Sequence, residues 1–364
     1  MSQNFNEKDY GGYFESLEKQ LNKPAPSREV KETKTPLPKR RGVYKVIRLR
    51  KSVVALGLAL VLILGVVLFA TNRKPDAKPK PQQTETEEKT QPKYNFVPIL
   101  FTNQTTDIPS TNDAEGAVIV SLKENKVIAE RDANKRMYPA STTKIMTLLV
   151  AAENIKDMND TFTMTLAITD PLYIAEASVA GFLNGEVVNM KDLLYGCILP
   201  SGADAATALA IKTAGSEENF VKLMNEKVKE LGLQNTNFTN VTGLHNEKNY
   251  SSAYDMASIL KAALGNDICR EVLSTYRYTT AKTPQNPDGI PLSSTLFDYM
   301  YGTEPETATI LGGKTGFVNE SGYCIASYGK ANQNSNEYIV VTLGNSSKWP
   351  AFHGQIDLYK QFAK

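Results

Sequence analysis

The stretch Tyr138-Pro139-Ala140-Ser141-Thr142-Thr143-Lys144-Ile145-Met146-Thr147 decides how the chain is read. Locally it predicts a helix start: Pro139 holds the chain extended before the turn, and serine and threonine favour helix N-termini. Ile145-Met146-Thr147-Leu148-Leu149-Val150-Ala151-Ala152 is apolar on nearly every face and predicts a buried helix. Ser141 and Lys144, three apart, share one face of its first turn. A serine hydroxyl is a poor nucleophile until a neighbouring base takes its proton. A lysine in an apolar setting loses part of its preference for the charged form, so its neutral amine can be that base. A capped helix with a solvated lysine would share this local sequence, and two later segments decide between the readings.

Leu199-Pro200-Ser201-Gly202-Ala203-Asp204-Ala205-Ala206 lies at a junction between apolar helical runs, and Leu311-Gly312-Gly313-Lys314-Thr315-Gly316-Phe317 reads as part of a strand. Ser-x-x-Lys, a Ser-x-Asn type element and Lys-Thr-Gly, in this order, form the signature of penicillin-binding proteins and serine β-lactamases. The middle element departs from it, because Ala203 stands where asparagine is expected. Further matching text includes Asp204-Ala205-Ala206, Gly243-Leu244-His245 and Gly322-Tyr323. From about Ala114 onward, roughly two thirds of its length, the chain resembles the serine-type D-Ala-D-Ala carboxypeptidases, the low-molecular-mass penicillin-binding proteins.

Hydrophobic patterning predicts an α/β (α+β) fold. Gly116–Leu122 and Val127–Arg131 form a hairpin turned by Lys123-Glu124-Asn125-Lys126. From Lys144 to about Leu264 the reading is mostly helical. Val188-Asn189-Met190 opens one helix that Pro200 stops, Ser216 caps another over Glu217–Leu231 that Gly232 ends, and Ser252 opens a third. Thr280–Pro291 is a loop or hairpin, followed by strands at Thr309–Gly316, Tyr323–Tyr328 and Tyr338–Leu343 and a closing helix from Trp349-Pro350. This order gives an antiparallel sheet built from both ends of the chain, flanked by helices, beside a helical subdomain. The resemblance implies the same serine β-lactamase/transpeptidase-like architecture, with its cleft between the two parts.

The first hundred residues read differently. Residues 1–52 are polar and predict a disordered basic tail, in which Gly12–Leu21 could form one short amphipathic helix. Val53–Ala70 carries no charge and, as a helix about 27 Å long, would just cross a bilayer core. Lys39, Arg40, Arg41, Lys45, Arg48, Arg50 and Lys51 precede it, against Arg73, Lys74, Lys78 and Lys80 after it. That asymmetry orients a single-pass signal anchor with its N-terminus in the cytoplasm. A cleaved signal peptide fits less well, since the polar stretch before it is too long and Leu68-Phe69-Ala70 is a poor cleavage site. Residues 71–100 are rich in Lys, Pro and Thr and predict an extended spacer, leaving 101–364 as the extracytoplasmic domain. The near-neutral total hides roughly +7 on the tail and roughly −7 beyond the spacer, so nothing argues for nucleic acid. Cys197, Cys269 and Cys324 form no Cys-x-x-Cys pattern, give no support to zinc or thioredoxin chemistry, and read as buried thiols. No metal or cofactor is expected.

Two histidines, His245 and His353, and the absence of a Gly-x-Ser-x-Gly elbow disfavour a Ser-His-Asp triad. Ser141 as nucleophile and Lys144 as base need neither. The resemblance implies the remaining roles: Ser201 relaying a proton to the leaving amine, and Lys314, Thr315 and Gly316 binding substrate. It places the backbone N–H groups of Ser141 and Phe317 in an oxyanion hole, and Lys314 lowering the proton affinity of Lys144. His245 reads as a rim residue and Asp204 as facing its own helix. The family often has an arginine near the substrate carboxylate after the last strand; here Lys348 is the nearest counterpart. Many members also continue into a β-rich C-terminal domain and an amphipathic membrane helix, whereas the N-terminal span is expected to anchor this chain. The implied partners are a peptidoglycan stem peptide, β-lactams as inhibitors and the membrane. The alternatives are a serine β-lactamase, for which no Glu-x-x-x-Asn segment is apparent between Lys144 and Lys314, and a catalytically weak wall- or β-lactam-binding module.

Overall fold

The computed structural model describes residues 96–363 apart from 301 and 304. The tail, the Val53–Ala70 segment and nearly all of the spacer lie outside the described residues. Among the described residues no helix is long and apolar enough to cross a membrane.

The chain opens with β1 (Thr106–Asp107), β2 (Gly116–Ser121) and β3 (Lys126–Arg131), and a 3-10 turn at Ala140–Thr143 runs into α1 (Lys144–Asn154). The insert that follows holds β4 (Thr161–Thr163), α2 (Leu166–Ile174), β5 (Val187–Asn189), α3 (Met190–Ile198), α4 (Ala203–Ala214), α5 (Glu217–Glu230), α6 (Ala253–Leu264) and α7 (Asp267–Ser274). A small hairpin of β6 (Arg277–Thr279) and β7 (Pro291–Ser293) leads through α8 (Thr295–Met300) to β8 (Ala308–Val318), β9 (Gly322–Ala331), β10 (Glu337–Asn345) and α9 (Lys348–Phe362).

The main sheet has the order β1-β3-β2-β10-β9-β8, so strands from both ends of the chain meet where β2 pairs antiparallel with β10. It is mixed rather than wholly antiparallel as expected: the two-residue edge strand β1 runs parallel to β3. Its exposed edge position lets a short segment add there without a crossover helix of its own.

Strand alternation explains the layers. Val118 and Val120 of β2, with Ile339, Val341 and Leu343 of β10, pack toward the helical insert. Ala117, Ile119, Tyr338 and Val340 point the other way, onto α9 through Phe352, Leu358 and Tyr359. With both faces covered, every residue of β2 is buried. Gln355 of α9 is fully buried and satisfied, donating to the Ile325 carbonyl and Thr342 Oγ1 and accepting from Ser327. α1 runs through the larger core, buried from Lys144 to Ala152. The caps foreseen at Ser216 and Ser252 form, each side chain accepting the backbone N–H three residues on. All three cysteines are buried free thiols.

Candidate active site

The turn before α1 differs from expectation in one respect that matters to the chemistry. Pro139 is in the right-handed helical region rather than extended, because the chain reverses at Ala140, whose φ is +46°. No side chain caps the turn; Thr142 Oγ1 instead donates back to the Pro139 carbonyl at 2.6 Å. The Ser141 hydroxyl is thereby left for Lys144, whose Nζ lies 3.0 Å from Ser141 Oγ. The same ammonium nitrogen donates to the Thr242 carbonyl at 2.6 Å.

Thr242 is held by a loop that wraps the nucleophile. Asn240 Oδ1 accepts from the N–H groups of Thr242 and Gly243, and its Nδ2 donates to the Leu244 carbonyl. Gly243 has φ +79°, and a Cβ there would meet the Ala140 carbonyl oxygen at 1.9 Å, so only glycine fits. The Gly243-Leu244-His245 text is thus the mark of a loop whose preceding carbonyl orients the lysine. His245 is exposed and packs edge-on against Tyr138, outside the cleft lining.

Burial brings the Lys144 amine down to about 8, against opposing contributions from Cys197 and Asp204. Lys314 is also fully buried and lies well below the usual lysine range, through burial first and the charge of Lys144 second. Burial is therefore the main reason that Lys144 can be neutral. Neither pairs with a carboxylate among the described residues. The Cys197 thiol beside them is pushed up to about 12 by burial and stays protonated.

On β8, successive side chains face opposite ways. Lys314 turns inward and donates to the Thr315 carbonyl at 2.7 Å, while Thr315 and Phe317 face the cleft. Thr315 Oγ1 lies 2.6 Å from Thr295 Oγ1 at the start of α8. A Cβ on Gly316 would meet Ser141 N at 2.8 Å and Thr142 N at 3.0 Å, so β8 presses its backbone against the start of the nucleophile turn. Ser201, 6% exposed, occupies the break between α3 and α4 with φ +66°. A non-glycine residue held there costs of order 1–3 kcal/mol, which the surrounding packing must over-determine.

These elements enclose a cleft of about 300 Å³ lined by Ser141, Ser178, Ser201, Thr295, Thr315 and Phe317. Tyr299 and Lys348 close one side, the Lys348 ammonium donating to Tyr299 Oη at 3.1 Å and standing 4.4 Å from its ring centre. A larger hollow of about 660 Å³, walled by Tyr173, Ile174, Val179 and Leu183, holds neither Ser141 nor Lys144. The structure brings Ser141, Lys144, Ser201, Thr315, Gly316 and Phe317 together; Lys314 sits behind them, not on the cleft surface. Thr242, Thr295, Tyr299 and Ser178 were not foreseen as site residues. Only Thr242 had a signal, its position before Gly243-Leu244-His245.

A serine paired with a buried lysine beside a Lys-Thr-Gly strand, on a sheet joined to a helical insert, defines the penicillin-binding/transpeptidase-like class of active-site serine proteins. Comparison with known proteins narrows this class. A D-alanyl-D-alanine carboxypeptidase family profile matches residues 102–347, and the chain belongs to that family. It is 35% identical over 260 residues to the D-alanyl-D-alanine carboxypeptidase DacF of Bacillus subtilis, covering 69% of this chain and 63% of that one. With DacC of Escherichia coli it shares 35% over 262 residues, 69% of this chain and 61% of the relative. The chain thus spans somewhat over six tenths of the length of these two relatives. Among solved structures, the Streptomyces K15 DD-transpeptidase superposes with a TM-score of 0.61 at 29% identity, over 68% of this chain and 97% of that one. Penicillin-binding protein 5 of Haemophilus influenzae gives 0.60 at 28%, over 70% and 71%.

Proposed function

We propose that this protein is a membrane-anchored D-alanyl-D-alanine carboxypeptidase that trims the terminal D-Ala from peptidoglycan stem pentapeptides through a serine acyl-enzyme, and that penicillins acylate the same serine. The observation that carries the reading is the 3.0 Å contact between a buried amine, lowered to about 8, and Ser141 Oγ. Near neutral pH a usable fraction of Lys144 is then the free base.

In this reading Ser141 Oγ attacks the carbonyl carbon of the penultimate D-Ala and its proton passes to Lys144 Nζ. The developing oxyanion is met by the N–H groups of Ser141 and Phe317, a role supported by the close approach of β8 to the turn. Collapse of the tetrahedral intermediate breaks the peptide bond, and the departing D-Ala amine takes a proton from Lys144 by way of the Ser201 hydroxyl. Water then attacks the ester, giving a proton to Lys144, which passes it to Ser141 Oγ as the ester bond breaks and the tetrapeptide leaves. The terminal carboxylate meets the Thr315–Thr295 hydroxyl pair, with the Lys348 ammonium beside Tyr299 supplying positive charge to the same cleft. Beneath the strand the Lys314 amine donates to the Thr315 carbonyl, next to that hydroxyl pair.

The test is incubation of the full chain, in detergent, with a stem pentapeptide and quantification of free D-Ala. The parent is expected to release one D-Ala per peptide, Ser141→Ala none, and Lys348→Met to show a raised KM. A parent that is labelled at Ser141 by a fluorescent penicillin yet releases no D-Ala would leave a binding module in place of an enzyme.

A further inference from the structure

Position 203 does not face the cleft. Ala203 is 1% exposed and begins α4, with its backbone N–H donating to the Ser178 carbonyl at 2.8 Å. Residue 178 therefore lies directly against position 203, and its side chain lines the cleft together with Ser141 and Ser201. The next residue of the motif fixes this arrangement. Asp204, also 1% exposed, accepts from the N–H groups of Ala180 at 2.7 Å, Gly181 at 3.0 Å and Phe182 at 3.3 Å, as well as from Ala205 at 2.9 Å. The Asp204 carboxylate, its acceptor sites filled, serves as a clamp and not as a base. Rather than facing its own helix alone, as expected, it ties residues 180–182 to the second motif.

We propose that Ser178 is a substrate-positioning residue, its hydroxyl donating a hydrogen bond to the carbonyl of the donor's acylamido group. The chemistry favours this group. A donor with its carbonyl carbon at Ser141 places its next amide in a cleft that residues 178 and 201 also line. An unmet amide there would lose its water without replacement. A hydroxyl can donate to the carbonyl of that amide. The peptide arm of the proposal rests on the carboxypeptidase reading; the β-lactam arm requires only acylation of Ser141.

The experiment uses two penicillins. Benzylpenicillin carries an acylamido side chain, whereas 6-aminopenicillanic acid has a free amine there and lacks the carbonyl acceptor. Ser178→Ala in the full chain is expected to slow acylation by benzylpenicillin about fivefold, as for loss of one ordinary hydrogen bond. With 6-aminopenicillanic acid the slowing should stay within about twofold, and Ser178→Thr, which keeps the hydroxyl, should recover most of the benzylpenicillin rate. With the pentapeptide, KM should rise more than kcat falls. Equal slowing for both penicillins would mean that Ser178 only shapes the loop, and no slowing for either would mean that it makes no contact; each result overturns the proposal. A parent acylated normally that frees no D-Ala would remove the carboxypeptidase reading while the penicillin pair still decides Ser178.

Discussion

Lys144 concentrates the chemistry in a single pKa. The rate of Ser141 acylation by a fluorescent penicillin is expected to climb with pH and level off above about 8, where burial has set the amine. Lys144→Ala should abolish labelling, while His245→Ala, altering an exposed ring against Tyr138, should keep most of it. A rate independent of pH between 6 and 9 would exclude Lys144 as the base. The same shift acts on stability. The folded-state pKa lies below the unfolded value of 10.5, so the folded protein binds fewer protons between about 8 and 10.5 and gains stability as pH rises through that window. Below it the buried amine costs about 3 kcal/mol. Lys144→Met should therefore unfold at a higher temperature at pH 7, less whatever the lost bonds to Ser141 Oγ and the Thr242 carbonyl contributed, and its advantage should shrink toward pH 10. A variant that is no more stable at pH 7 than at pH 10, relative to the parent, would contradict the assignment.

At the scale of elements, carboxylates hold the segments around the site. Asp192, in the first turn of α3, accepts from Tyr278 Oη at 2.6 Å, the Ala281 N–H at 3.0 Å and Asn189 Nδ2 at 2.9 Å. Glu186 binds Leu183, Thr283 and Asn286 in the same manner. Between them they fasten the β6–β7 hairpin to the insert, and that hairpin delivers Thr295 to Thr315. Tyr195 and Tyr278 stack at 3.9 Å above this joint. Removing a buried, charged acceptor leaves its donors unpaired, so Asp192→Ala should cost about 2 kcal/mol or more. The measurements are thermal unfolding, expected several degrees lower, and limited proteolysis, expected to cut first within residues 280–290. An unchanged midpoint and cleavage pattern would show that the hairpin is held by other means.

For the whole molecule, strands from residues 106–131 and 308–345 share one sheet, and the roughly −7 charge beyond residue 100 suits an exported domain. We propose that Val53–Ala70 anchors it, with the basic cluster before Val53 in the cytoplasm. Protease added to intact cells stripped of their wall should digest Ala114–Lys364 and leave the N-terminal tail protected. A tag placed before Lys39 that is cut from outside would reverse the orientation.

Periodicity and local chemistry determined a good deal by themselves. Ser141 and Lys144 share a helical face because helix geometry brings residues three apart together, so their contact was legible in ten residues. The β-branched runs of β2 and β10 and the caps at Ser216 and Ser252 were legible for the same reason: they depend on near neighbours. Tertiary structure alone decided the rest. The mixed edge of the sheet depends on where two residues far from any apolar run come to lie. The partner of Lys144 is a backbone carbonyl almost a hundred residues away, which no side-chain pattern announces. Lys314 and Thr315 are adjacent in sequence, yet one is buried behind the strand and the other faces the cleft, because only packing decides which face of a strand is covered. Position 203 is the clearest case. Its identity was readable as a departure from a motif, but its burial under Ser178 was not, since that follows from the Asp204 clamp across two separate segments of the chain.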